Sequence, residues 1–186
     1  MTDEPVAGSR GPFRRRLVAV VVGVAVVAGV LVGLTVGGAG PATRAASFRL
    51  PRLGGGPAVA LPLTGADARH PVVLTFFASW CGPCRHDLPV VASVARTARA
   101  HHSPVVFLGI DGNDETASGL AFARSSGVGF PVGADTGSVV APRFTLEGYP
   151  GTVFIDGAGA VVATVRGPVS RSTLEMWLAR LAATPA

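Results

Sequence analysis

Two cysteines three residues apart, Cys81 and Cys84, stand where the apolar run Thr75-Phe-Phe-Ala ends, and the chain contains no other cysteine. The residues that follow predict a helix starting at the second of them. A thiolate at a helix N-terminus faces unpaired backbone N–H groups and the positive end of the helix dipole. Cys81 is therefore expected to have a lowered pKa and to be nucleophilic near neutral pH. Cys84, one turn further in, can attack a mixed disulfide formed on Cys81 and close a ring. That is dithiol–disulfide exchange. A tetrahedral zinc site needs four ligands, and His70, His86, His101 and His102 repeat no finger-like spacing to the cysteine pair. A purely structural disulfide across so short a loop would remove little unfolded-state entropy. Redox chemistry is the better reading.

Trp80-Cys81-Gly82-Pro83-Cys84 resembles the active-site motif of thioredoxins, and Pro89 falls five residues after the second cysteine, where thioredoxins kink that helix. The wider frame, Phe77-Ala-Ser-Trp-Cys-Gly-Pro-Cys-Arg-His-Asp-Leu-Pro89, resembles the TlpA/ResA-like branch of membrane-anchored, extracytoplasmic thioredoxin-fold proteins. The resemblance runs from about Phe48 to Leu181. It implies an α/β thioredoxin fold, a central mixed sheet flanked by helices, with an N-terminal hairpin and a β-α-type insertion, preceded by one transmembrane helix.

The elements that must position the motif agree with that frame. Phe48 to Leu53 and Ala58 to Leu63 alternate enough for two short strands around Gly54-Gly55-Gly56, and resemble the added hairpin. Pro71 to Phe77 is a short β-branched and aromatic run, as a central parallel strand should be. Leu88, Val91, Ala95 and Ala98 follow helical spacing toward Ala100, with Pro89 expected to bend the helix. Pro104 to Ile110 is the next buried strand and completes a βαβ unit. Asn113 or Asp114 is expected to start a weaker helix ending at Gly127, and Phe130-Pro-Val132 a short strand. Gly137 to Phe144 reads as a turn or two of helix. Gly151 to Asp156 and Ala160 to Val165 make an antiparallel hairpin. Ser172 and Glu175 have capping-box spacing, and Leu174, Trp177, Leu178 and Leu181 then lay one apolar face on the sheet, with Trp177 a core residue.

The N-terminal part carries a separate message. Leu17 to Gly40 contains no charge, and twenty helical residues span about 30 Å, the hydrocarbon thickness of a bilayer. Arg14, Arg15 and Arg16 precede it, which predicts a cytoplasmic N-terminus and an outside C-terminus. A cleaved signal is the rival, with small residues at Ala42 to Ala46 for a cleavage site. The expected division is a cytoplasmic stretch 1–16, a transmembrane anchor 17–40, a Gly- and Pro-rich linker 41–57 and a thioredoxin-like domain 58–186. All 16 basic residues are arginines, and the net charge of +5 shows no basic stripe, so nucleic acid is not an expected partner. Outside the cytoplasm disulfides persist, so a thiol pair acting as reductant needs an electron donor across the membrane.

Tyr149-Pro150 precedes the second hairpin, and by resemblance Pro150 is the cis-proline that faces the active-site disulfide, with Trp80 and Tyr149 beside it at the substrate surface. Asp87, three residues after Cys84, stands where the resembling proteins commonly have Glu. It could accept the Cys84 proton during exchange, or be a solvated first-turn acid that suits the helix dipole. Thr75 takes the place of the buried aspartate of cytoplasmic thioredoxins, so proton handling must differ. The spacer Gly82-Pro83 matches reducing thioredoxins. The expected protein is thus an extracytoplasmic disulfide reductase acting on exported proteins, such as those with haem-attachment or metal-site cysteines. It is expected to use a Cys81–Cys84 redox disulfide and no metal or other cofactor. An oxidant or isomerase of exported proteins, a copper-binding chaperone using the same thiolates, and a peroxide-reducing enzyme are the rivals; the last needs a lone peroxidatic cysteine.

Overall fold

The structure, a computed structural model, describes residues 43–183. Its strands are β1 (Phe48–Leu50), β2 (Val59–Leu61), β3 (Val72–Phe77), β4 (Val106–Gly112), β5 (Val132–Asp135), β6 (Gly151–Ile155) and β7 (Val161–Arg166). The helices are α1 (Cys84–Ala100), α2 (Thr116–Ser125) and α3 (Arg171–Ala183). The main sheet has the order β5-β4-β3-β6-β7, and β1 and β2 form a separate antiparallel pair. β3 runs parallel to β4 and antiparallel to β6, so the sheet is mixed. This is the expected thioredoxin-like arrangement. The expected membrane span, 17–40, lies outside the described residues; among those described, no helix is long and apolar enough to cross a membrane.

Alternation along the strands divides the core. Leu74, Phe76, Leu108, Ile110, Val153 and Ile155 point to one face. The β1–β2 pair covers it with Phe48, Val59 and Leu61, together with the 3-10 turn Ala141–Phe144. Val73, Phe107 and Phe154 point to the other face, against Val91 and Val94 of α1 and Leu174 and Leu181 of α3. Trp177 stacks on Phe154 at 5.4 Å, as its place on the apolar face of α3 implied. β3 is buried at all six positions, because it is the central strand with both faces covered.

Several boundaries differ from the sequence reading for identifiable reasons. Within the stretch expected as linker, Phe48 and Leu53 are already buried and Ala45 N–H bonds to Gly159 O, since apolar side chains of a short hairpin need the sheet to cover them. α2 starts at Thr116 rather than at Asn113 or Asp114, because Asn113 is left-handed and the Asp114 carboxylate is bonded elsewhere. β5 begins at Val132, after Pro131, which has no N–H for a ladder. The cap of α3 is Ser170, whose hydroxyl accepts the Thr173 N–H at 3.1 Å, and not Ser172. Glu175 pairs instead with Arg171 at 3.6 Å. Pro89 is accommodated inside an unbroken α1. A second cis proline, Leu61-Pro62, had no sequence signal.

Thr75 and Thr152 face each other across β3 and β6, both buried, and neither hydroxyl has a partner. An unsatisfied buried hydroxyl costs about 1–3 kcal/mol. Thr152→Val keeps the shape and removes the polar group, so we expect it to raise the unfolding free energy by about 1 kcal/mol, read from the urea midpoint. A loss of stability would mean that the hydroxyl is satisfied in solution.

Candidate active site

β3 delivers the chain to the end of the sheet, where Ala78 to Pro83 turns it into α1. The turn is tight: Cys81 N–H bonds to Ala78 O at 3.2 Å and Arg85 N–H to Gly82 O at 3.2 Å. Cys81 and Cys84 are joined by a disulfide, with 5.3 Å between their Cα atoms. Cys84 is fully buried and Cys81 nearly so, and both pack with Phe77, Ala78 and Leu88. The Cys84 N–H donates to Cys81 Sγ at 3.2 Å. The same donor, at the first turn of α1, is in place to stabilise a Cys81 thiolate once the disulfide opens.

Asp87 is not the solvated acid that was one of its two readings. It is 3 % exposed, and its Oδ1 accepts the Val169 N–H at 2.6 Å from the loop before α3. Burial pushes its carboxyl from 3.8 up to about 6, with the Val169 bond acting in the opposite direction. A carboxyl in that range, one helical turn beyond Cys84, can take up and return a proton near neutral pH.

On the other side, antiparallel pairing of Phe76 with Gly151 brings Pro150 level with the end of β3 where the cysteine loop departs. The Tyr149-Pro150 bond is cis, as the resemblance implied, and Pro150 O accepts the Gly167 N–H at 2.9 Å. Tyr149 meets Trp80 edge to face at 5.7 Å, and its hydroxyl bonds to that of Ser138. Trp80 lies 56 % exposed, against Tyr149, with Nε1 donating to Asn113 O at 2.8 Å. Trp80, Tyr149, Pro142 and Leu146 wall a cleft of about 230 Å³ with Glu147 among its lining residues. A larger hollow of about 440 Å³ between α1 and the start of β4 is at the opposite end of the sheet and is lined by no cysteine or carboxylate.

The structure thus gathers Cys81, Cys84, Asp87, Trp80, Tyr149 and Pro150 around one strand–helix junction, with Gly82 and Pro83 forming its turn. Thr75 stays beneath the site in the sheet, its hydroxyl unpaired. Sequence reasoning missed Asp111, Asp114 and Ser79. Asp111 closes the apolar run that was ended at Ile110, and an acid at the buried end of a strand was the available signal. Among the described residues no group of histidines, cysteines and acids could hold a metal ion.

Known proteins share this framework. The AhpC/TSA family pattern matches residues 41–164. The chain is 27% identical over 116 residues to the thiol:disulfide interchange protein HelX of Rhodobacter capsulatus, covering 61% of this chain and 62% of HelX. It is 27% identical over 107 residues to the thiol-disulfide oxidoreductase ResA of Bacillus subtilis, covering 58% of this chain and 59% of ResA. The matched part therefore spans about three fifths of each of these curated relatives. Among solved structures, MTB DsbF superposes with a TM-score of 0.61 at 30% identity, covering 72% of this chain and 94% of that one. Family pattern, relatives and fold agree, and the chain belongs to the AhpC/TSA family as a TlpA/ResA-like member built on the thioredoxin fold.

Proposed function

We propose that this protein is a thiol–disulfide oxidoreductase that reduces disulfides in exported proteins, tethered to the membrane by residues 17–40 with the described domain outside the cytoplasm. The observation that carries the reading is the Cys81–Cys84 disulfide at the N-terminus of α1, with a buried carboxyl one turn further along the same helix. In the reduced state the Cys81 thiolate attacks a substrate disulfide, forming a mixed disulfide and releasing one substrate thiolate, which takes a proton from solvent. Cys84 then gives its proton to Asp87 and attacks Cys81 Sγ. The Cys81–Cys84 disulfide forms and the second substrate sulfur leaves as a thiolate, which the Asp87 proton neutralises. Two electrons and two protons have passed to the substrate. A membrane electron donor returns the pair to the dithiol, and no cofactor is needed in this chain. Trp80, Tyr149 and Pro150 line the side from which an extended substrate segment approaches.

The test is the reduction potential of the pair, equilibrated against glutathione and dithiothreitol. A value near or below about −250 mV is expected of a reductant that draws on a membrane source. A value above about −180 mV would make the protein a disulfide donor and overturn the reading. Haem-attachment or metal-site cysteines of exported proteins are the substrates we propose, to be identified by trapping with Cys84→Ser.

A further inference from the structure

The cleft beside the disulfide carries a charge that the exchange steps above do not use. Glu147 lies on it, exposed, three residues before the cis proline Pro150. Among the described residues its carboxylate has no hydrogen-bond or ion-pair partner. The arginines tied to the same segment are engaged elsewhere. Arg143 Nη1 donates to Ser47 O at 3.1 Å, and Arg166 Nε to Thr145 O at 3.1 Å. The aromatic wall of the cleft, by contrast, is held at several points. The Tyr149 hydroxyl bonds to that of Ser138 and comes so close to Gly112 that a Cβ there would overlap it. Asp135, at the end of β5, fixes both sides of this wall. Its backbone carbonyl accepts the Asn113 N–H at 3.0 Å and the Ser138 N–H at 2.9 Å, and its carboxylate accepts those of Val139 and Val140. Asn113 in turn holds the Trp80 ring nitrogen. One aspartate so places the partner of each aromatic ring, and both rings line the same hollow.

We propose that this cleft is a subsite for a basic side chain next to the cysteine of the substrate disulfide, its stem over Pro142 and Leu146 and its cation between the Trp80–Tyr149 rings and the Glu147 carboxylate. The subsite rests on the exchange reading and names the substrate that reading leaves open: a polypeptide disulfide flanked by arginine or lysine. Three features select that chemistry. Aromatic faces attract a cation, and the Trp80 indole is 56 % exposed. A basic side chain has an apolar stem suited to Pro142 and Leu146, with a charged end that reaches the exposed carboxylate. A carboxylate with no cation from the described chain repels an acidic residue and has no partner to give up when a basic one enters. The hollow of about 230 Å³ suits one side chain, being smaller than the roughly 300–1,000 Å³ usual for small-molecule sites. Trp80 directly precedes Cys81, and Tyr149 directly precedes Pro150. A residue adjacent to the bound cysteine is therefore the one that meets the cleft.

The experiment uses the full chain in both redox states. Reduced protein is mixed with short peptides whose single cysteine is joined to 2-thiopyridine. The Cys81 thiolate attacks the peptide sulfur, the peptide–thiopyridine S–S bond breaks, and 2-thiopyridone leaves with a proton from solvent. Cys84 then displaces the peptide thiol, and the protein ends oxidised. The residue before or after the peptide cysteine is Arg, Leu or Glu. At one of these two positions the second-order rate should be about 5- to 10-fold higher for Arg than for Leu, and lowest for Glu. Glu147→Gln should remove at least half of the Arg advantage, and Glu147→Arg should place Glu above Arg. Glu115→Gln, at an exposed acid before α2 and outside the cleft, should change nothing. Equal rates for Arg and Leu, or an Arg advantage unmoved by Glu147→Gln, overturn the subsite; so does an equal effect of Glu115→Gln, which would mean that overall charge is read. Oxidised protein decides the matter apart from exchange. The Trp80 indole N–H resonance, followed with the Arg and Leu peptides carrying Ser for Cys, should give a Kd about 5- to 10-fold lower for Arg, narrowing in Glu147→Gln. Equal Kd values sink the subsite even where exchange is fast. A binding preference without attack on any peptide sinks the exchange reading alone.

Discussion

Cys81→Ser is expected to abolish disulfide reduction, lowering turnover of insulin disulfides by at least about 10³-fold, because no other group can form the mixed disulfide. The chain has no third cysteine to substitute for it. Cys84→Ser should behave differently. It leaves the attacking sulfur and the N–H that faces it, so the first step proceeds and the protein accumulates as a covalent adduct with its substrate. Multiple-turnover activity then falls as far as in Cys81→Ser, while non-reducing gels show a higher-mass species that dithiothreitol releases. The asymmetry follows from position: Cys84 is fully buried within α1, whereas Cys81 lies before it on the turn. Trapping by Cys81→Ser instead of Cys84→Ser would reverse the two roles. Equal retention of activity in both variants would remove the dithiol mechanism.

The second large effect concerns stability and pH. Asp87 at about 6 and Asp111 at about 7 keep their protons in the folded chain where the unfolded chain, at the ordinary 3.8, has lost them. Between these limits the folded state binds more protons, so the unfolding free energy decreases as pH rises. The stabilisation is fully present below about pH 4 and is lost as pH passes about 6 for Asp87 and about 7 for Asp111. Each tenfold change in proton affinity is worth about 1.4 kcal/mol, which gives roughly 3 kcal/mol for Asp87 and somewhat more for Asp111. The oxidised protein should therefore show a lower urea midpoint at pH 8 than at pH 5. Asp87→Asn keeps an acceptor for Val169 N–H but has no charge to bury, and should remove about a third of that difference, since the Asp87 shift is the smaller of the two. A midpoint difference as large in Asp87→Asn as in the parent would show that Asp87 is not held protonated by its surroundings.

Much of this was readable along the chain. The cysteine spacing, the helix beginning at Cys84, the buried strand before it and the hairpin after Pro150 are local patterns, and each appears within a few residues of its expected place. Tyr149-Pro150 was readable only by resemblance, since an X-Pro pair before a strand is otherwise an ordinary turn. Ser172 was mistaken for the cap of α3 because spacing alone cannot say which of two nearby serines, Ser170 or Ser172, turns its hydroxyl to the free N–H groups. Asp87 had two readings of equal standing, solvated or proton-accepting. They differ only in what covers its outer face, and that cover is Val169, 82 residues away.

What the sequence determined by itself is the chemistry and the frame: a dithiol at a helix start, on a sheet whose strands announce themselves by runs and alternation. These depend on residues close in the chain, whose periodicity reflects the element they occupy. The tertiary structure alone decided the state of the acids. Register across β3 and β4 sets Asp111 against Phe77, the loop after β4 carries Asp114 to Ser79, and α2 closes over them at Gly119. Whether a carboxyl holds its proton depends on the water removed from it and on the charges brought near it. Here both are supplied by segments distant in sequence, which meet only when the sheet is assembled.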